Sequence, residues 1–133
     1  KKLQKTEKNI IVMGDFNVAP TTLDIGIGEA NVKRWLRDGK TAFLPEEIDM
    51  WNSIKNLGFT DSWREQNPSE GSVYSWFDYR SRMFDDTPKR GLRIDHIMIS
   101  DNLLSAMKNT GIDYVARRME KPSDHCPIWL ELK

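Results

Sequence analysis

A single cysteine, Cys126, stands in the whole chain. It excludes an internal disulfide and fits a reducing compartment, with the cytoplasm as the expected location. Placed at the start of an apolar run, it reads as a small buried residue rather than a nucleophile. No apolar run is long enough to cross a bilayer, and no secretory leader or low-complexity tract is visible, so no membrane partner is expected. Neither sign of charge dominates. The 20 basic and 20 acidic residues cancel, so no global field draws the chain to a polyanion. Such binding has to come from local clusters, of which there are four: Lys33-Arg34 with Arg37, Arg80 with Arg82, Lys89-Arg90 with Arg93, and Arg117-Arg118 with Lys121. Each alone reads as a solvated face. A glycine-rich phosphate loop is missing. So is an initiator Met, and the chain is expected to begin inside a longer protein.

The 133 residues make one domain or part of one. Five Trp, five Phe and three Tyr supply bulky core material. Asn9–Met13 reads as a buried strand, short, β-branched and stopped by Gly14. Residues 28–36 predict a short helix. A better one opens at Pro45, with Glu46 and Glu47 in its first turn, Gly58 beyond its end, and Ile48, Trp51, Ile54 and Leu57 on one face. Val73–Phe77 is an aromatic strand candidate, followed by a polar loop to Gly91. Ile94–Ser100 predicts a strand, Asn102–Lys108 a short helix, Ile112–Val115 another strand and Ile128–Leu132 a last one. The short spacings between the late strands favour antiparallel or mixed sheets in an α/β (α+β) chain.

Three polar motifs sit at the ends of these apolar runs: Gly14-Asp15-Phe16-Asn17, Arg93-Ile94-Asp95-His96 and Ser123-Asp124-His125. Side chains at strand ends can converge on one pocket. A pocket holding Asp, Asn and His suits a hard cation and a phosphate ester. Asp15 and Asn17 alternate along what reads as an extended segment, so both can face one way. An Asp there can align a water, and a neutral Asn can donate to a phosphate oxygen without repelling it. Asp-x-Asn is equally what an Asx-turn requires. Asp95 can orient an imidazole, and His125 is its natural partner. Asp124 can bind a metal directly or through water. His96 faces away from Asp95 on a regular strand and reads as structural.

Taken in this order, the residues resemble the C-terminal half of the bacterial exonuclease III family, abasic endonucleases of the endonuclease/exonuclease/phosphatase superfamily. The resemblance runs through Leu23-Asp24-Ile25-Gly26, Phe43-Leu44-Pro45-Glu46-Glu47, Tyr74-Ser75-Trp76-Phe77-Asp78-Tyr79-Arg80 and Phe84-Asp85-Asp86. It continues through Gly91-Leu92-Arg93-Ile94-Asp95, Gly111-Ile112-Asp113-Tyr114 and Met119-Glu120-Lys121-Pro122-Ser123-Asp124-His125. It implies half of a four-layer α/β sandwich with mixed, largely antiparallel sheets. It also implies a Mg²⁺-dependent phosphodiesterase, with Mn²⁺ as a substitute. The activities implied are incision at abasic sites in duplex DNA and 3′-to-5′ exonuclease action at its ends, in the bacterial cytoplasm at the nucleoid. By the same resemblance Asp15 would activate the water, Asn17 would hold the scissile phosphate, and Asp95 would orient His125 onto a non-bridging oxygen. Asp124, with Asp15 and Asn17, would serve the metal. Trp76, Phe77, Leu92 and Ile94 would form the pocket for a sugar without its base. Arg80, Lys89, Arg90 and Lys121 would contact the DNA backbone.

The chain departs from the family upstream. Full members carry there an Asn at the end of the first strand, a metal-binding Glu and an active-site Tyr, whereas Glu7 is the one acid before Asp15. Residues 1–133 are therefore expected to be the C-terminal half of one domain, with the N-terminal half as a partner, weakened Mg²⁺ binding and an exposed apolar sheet face. Two other readings remain open: a phosphatase or phosphodiesterase for small or lipid substrates, and a catalytically inactive half that keeps DNA or protein contacts.

Overall fold

A computed structural model describes residues 2–133, and in it every ladder between strands is antiparallel. In chain order the elements are β1 (Ile11–Asp15), α1 (Glu29–Arg37), α2 (Pro45–Lys55), β2 (Phe59–Asp61), α3 (Ser62–Gln66), β3 (Asp95–Ser100), β4 (Met107–Ile112), α4 (Tyr114–Arg117) and β5 (Ile128–Leu132). One sheet has the order β1-β3-β2 and the other pairs β4 with β5. A lone parallel bridge, Val18 to Ala42, lies outside both. The fold is thus mixed α/β with antiparallel sheets, as expected.

Local chemistry explains the helices. Pro45 presets the first turn of α2, and the Glu47 carboxylate accepts from the N–H groups of Leu44 and Ala42, both at 2.9 Å. One apolar cluster gathers Ile27, Phe43, Tyr74, Phe77, Phe84, Leu92 and Ile94; a second joins Val18, Trp51, Phe59 and Met98.

Four local expectations fail. The strand at Asn9–Met13 forms, shifted to Ile11–Asp15, but it is not buried: Ile11, Val12 and Met13 are 44%, 42% and 64% exposed. It is an edge strand bonded to β3 alone, with nothing described over it. Val73–Phe77 makes single bridges, not a strand, because the left-handed Ser72 and an Asx-turn at Asp78 cut it short on both sides. Asn102–Lys108 is a 3₁₀ turn over Asp101–Ala106, after which Met107 already starts β4. Residues 113–115 are not a strand either. The Asp113 carboxylate caps α4 by accepting from Val115 and Ala116 N–H at 2.8 and 3.1 Å.

Arg93 is not the surface cation its neighbours imply. It is 1% exposed, and its guanidinium binds Asp24 Oδ1 through Nε at 2.7 Å and Asp61 Oδ2 through Nη2 at 2.7 Å. Its Nη1 donates to His96 Nδ1 at 2.9 Å, while His96 Nε2 donates to the Val18 carbonyl at 2.6 Å. Arg93 can only donate and the carbonyl can only accept, so His96 is the neutral tautomer with its proton on Nε2. His96 is structural, as its position on the strand predicts.

Candidate active site

The register of β1 on β3 sets Asp15 directly across from Asp95 at one rim of the sheet. His125 arrives from the loop before β5, and its Nδ1 donates to both Asp95 oxygens, at 3.0 and 2.9 Å. The carboxylate only accepts, so the proton stays on Nδ1 and Nε2 is free of Asp95. Ligand atoms of Asp15, Asp95 and His125 all lie within 4.8 Å of one another.

The short segment around Trp76 holds this arrangement together. Ser75 Oγ accepts from the N–H groups of Ile94 and Asp95, both at 3.0 Å. The Ser75 carbonyl accepts from Cys126 N–H at 2.6 Å, and the Asp124 carbonyl from Phe77 N–H at 3.0 Å. Asp95 and His125 are thus carried on two strips of backbone clasped to the same central one. Gly91 permits the close approach, because a Cβ there would collide with the Trp76 carbonyl and the Phe77 ring.

Beside the acids lies a cavity of about 180 Å³, lined by Asn17, Trp35, Thr41, Ala42, Trp76, Leu92, Ile94 and His125. Trp76, Leu92 and Ile94, three of the residues read as a substrate pocket, are among its walls. Phe77 is not: it is fully buried in the core against Tyr74, Phe84 and Tyr114. Neighbouring residues on extended backbone point to opposite sides, so Trp76 and Phe77 cannot share a pocket. Asn17 also differs, with a left-handed φ of 51° rather than an extended one. Its N–H donates to Asp15 Oδ1 at 2.8 Å, an Asx-turn that nevertheless leaves Asn17 on the cavity wall.

Asp124 falls outside the Asp15–Asp95–His125 group; its Oδ2 accepts instead from Trp76 Nε1 at 3.1 Å and so steadies the indole. Among the proposed backbone contacts, Arg80 and Lys121 are exposed, whereas Arg90 is paired with Asp86 at 2.7 Å. Lys89 turns inward, 3.8 Å from the centre of the Phe84 ring. Burial pushes the Cys126 thiol up to about 12, so it is a packing residue as predicted.

Sequence reading missed Ser75 and the second wall of the cavity, Trp35 with Thr41 and Ala42. The available signal was Trp35 itself, a large aromatic on a short basic helix; it stacks on Phe43 at 5.9 Å and lies 6.3 Å from Trp76.

The donor set fits a hard divalent cation. Two carboxylates face each other across neighbouring strands and Asp15 has no basic partner among the described residues, so a cation would relieve their repulsion. No helix among the described residues is long and apolar enough to cross a membrane.

The endonuclease/exonuclease/phosphatase family profile matches residues 1–125. Exodeoxyribonuclease III of Haemophilus influenzae is 53% identical over 124 residues, which are 93% of this chain and 46% of that protein. The DNA-(apurinic or apyrimidinic site) endonuclease of Dictyostelium discoideum is 32% identical over 131 residues, 96% of this chain and 32% of that one. The 3′ phosphatase NExo from Neisseria, solved with a product DNA hairpin, superimposes with a TM-score of 0.85 at 33% identity, covering 99% of this chain and 48% of that one. The chain thus spans less than half the length of each of these relatives. It belongs to the endonuclease/exonuclease/phosphatase family.

Proposed function

We propose that this member of the family supplies the Asp–His half of a DNA repair nuclease, a phosphodiesterase that incises duplex DNA at abasic sites and removes nucleotides from 3′ ends. The observation that carries the reading is the Asp15–Asp95–His125 group set against a tryptophan-walled apolar cavity. Asp95 holds the His125 ring by Nδ1, leaving Nε2 to meet a non-bridging phosphate oxygen. Asp15 orients and deprotonates the attacking water, and Asn17 donates to the phosphate. Trp76, Leu92, Ile94 and Trp35 receive a sugar whose missing base leaves it small enough for the cavity.

Mg²⁺, with Mn²⁺ as substitute, is the cation the oxygen donors fit, and it would neutralise charge on the phosphate. Asp15 is its anchor in this chain. Asp124 acts on the metal only through the Trp76 segment it braces. Further ligands, and the layer that covers β1, belong to the part of the relatives that these residues do not match. The place of action is the cytoplasm, at the nucleoid.

The test is cleavage of a labelled duplex bearing one abasic-site analogue in Mg²⁺. The chain is assayed alone and together with the N-terminal part of the Haemophilus relative. Incision 5′ to the lesion that requires both pieces and disappears with His125→Ala is the expected result. Hydrolysis of small or lipid phosphodiesters, with no action on the duplex in either mixture, would overturn the reading.

A further inference from the structure

Three cations converge on one aromatic ring at the flank of the site, and none has a carboxylate partner. Measured to the Phe84 ring centre, Lys89 Nζ lies at 3.8 Å, the Arg117 guanidinium carbon at 4.8 Å and that of Arg118 at 5.7 Å. Arg117 also lies 5.3 Å from the Tyr79 ring. It is 8% exposed, and its Nε–H is buried without a hydrogen-bond acceptor. Arg93, the other buried arginine, shows what a satisfied guanidinium looks like here, with two carboxylates and an imidazole around it.

Nearby acids are engaged elsewhere: Asp85 with Arg82 at 3.4 Å, Asp86 with Arg90 at 2.7 Å, and Asp113 on the N-terminus of α4. Burial, then the positive charges of Arg118 and Arg117, hold the Lys89 ammonium below the ordinary lysine range, against the opposing pull of Asp85. Positive charge is therefore concentrated here beyond what the chain neutralises. Lys89 Nζ donates to the Phe84 carbonyl, but the aromatic faces that stabilise these cations leave the buried Arg117 Nε–H without an acceptor.

We infer that Lys89, Arg117 and Arg118 form a second anion site, which takes a phosphodiester of the bound strand beside the one being cut. An oxyanion would give the buried Arg117 Nε–H the acceptor it lacks and accept the guanidinium fork in a bidentate way, with Lys89 and Arg118 adding charge. The site is tied to the catalytic group by the chain itself. Tyr79, which stacks on Arg117, donates its hydroxyl to the Pro122 carbonyl, and Ala116 lines a surface hollow of about 320 Å³ together with Ser123, His125, Cys126 and Pro127. The charge arrangement also favours such a site. Asp15, Asp95 and Asp124 repel the phosphates flanking the reacting one, and cations to one side offset that. Recognition of an oxyanion stands on the cluster alone; assigning it to a nucleic-acid backbone rests on the proposed function.

The test follows the Arg117 Nε–H resonance in the ¹⁵N-labelled chain during titration with inorganic phosphate, and then measures the salt dependence of binding to a short undamaged duplex. Phosphate is expected to shift that resonance saturably. Arg118→Gln, read on that resonance, and separately Arg117→Lys, which keeps the charge but loses the fork and is read on the Arg118 backbone amide, should each weaken the phosphate response roughly tenfold, the loss of one charge-assisted hydrogen bond. Arg118→Gln should also lower the slope of log K against log salt for the duplex by about 0.9. An Arg117 resonance indifferent to phosphate in an otherwise unchanged spectrum overturns the site. Phosphate binding with an unaltered duplex slope overturns its assignment to the backbone. Phosphate binding by a chain that ignores duplex DNA altogether supports the anion site and strikes at the proposed function instead.

Discussion

Ser75→Ala removes one oxygen and should disturb the site more than any surface change of that size. The hydroxyl is fully buried and is the acceptor for the N–H groups of Ile94 and Asp95, each at 3.0 Å. Its backbone bonds to Leu92 and Cys126 survive the substitution, so the perturbation is confined to two donors that lose their acceptor in a dry place. A buried unsatisfied donor costs about 1–3 kcal/mol, so the pair comes to roughly 2–6 kcal/mol. The exchanged volume is too small to offset this. Against a total stability of about 5–15 kcal/mol for a domain, that is a large fraction.

Urea unfolding followed by tryptophan fluorescence measures it directly, as a lower midpoint at unchanged slope. The second consequence is local. Asp95 loses the contact that fixes its backbone, and the Asp95–His125 alignment loosens with it. Displacements of about 1 Å can cost roughly 100-fold in rate, so incision by the complete enzyme should fall well beyond any loss of duplex affinity. A stability change below about 1 kcal/mol at unchanged slope would show that the two N–H groups find other acceptors, and the clasp argument would fail.

Asp95→Asn should impair incision less than His125→Ala, because it weakens the hold and the charge on the imidazole but leaves the ring in place; equal rates for the two variants in a single-turnover assay would mean that His125 acts only as Asp95 directs it. Stability should also fall in acid. Burial on its own would raise the carboxyls of Asp24 and Asp61, but Arg93, bonded to both, with Thr21 and Arg64 at Asp24, outweighs it and holds both below the usual range. Groups depressed in the folded state stabilise it above their unfolded pKa of about 3.9, and that contribution drains away as pH falls toward the folded values. The melting temperature should therefore drop steeply below about pH 4, and Asp61→Asn, less stable at neutral pH, should flatten the drop. A wild-type profile that is level through this range would contradict the ion network.

The two acids of the candidate site are legible because of where they stand. Asp15 and Asp95 each follow or open a short apolar run, and a strand end is where a polar side chain can leave the core; antiparallel pairing then makes the two face each other. His125 was legible only as a partner for Asp95, since nothing local distinguishes an Asp-His pair from a surface one. Arg93 illustrates what was not legible. Sequence neighbours placed it with Lys89 and Arg90 on the surface, but its true partners are 69 and 32 positions away, and burial is set by those partners rather than by adjacent charge. Lys89 and Arg117 turned inward for a related reason, drawn onto aromatic faces that no local pattern announces. Phe77 is different, because strand parity alone rules it out beside Trp76 and allows Leu92 with Ile94.

The strand β1 joins the two matters that parity and charge leave open. Its apolar residues Ile11, Val12 and Met13 are exposed, and the carboxylate that ends it, Asp15, is exposed as well. Both lie on one five-residue element. A protein layer packed over β1 would take that apolar surface out of water and, at the same rim, shield Asp15 from it, strengthening its attraction for a cation. Covering β1 and strengthening the cation site would then be one event, so divalent-cation affinity, titrated with Mg²⁺, and β1 burial should rise together.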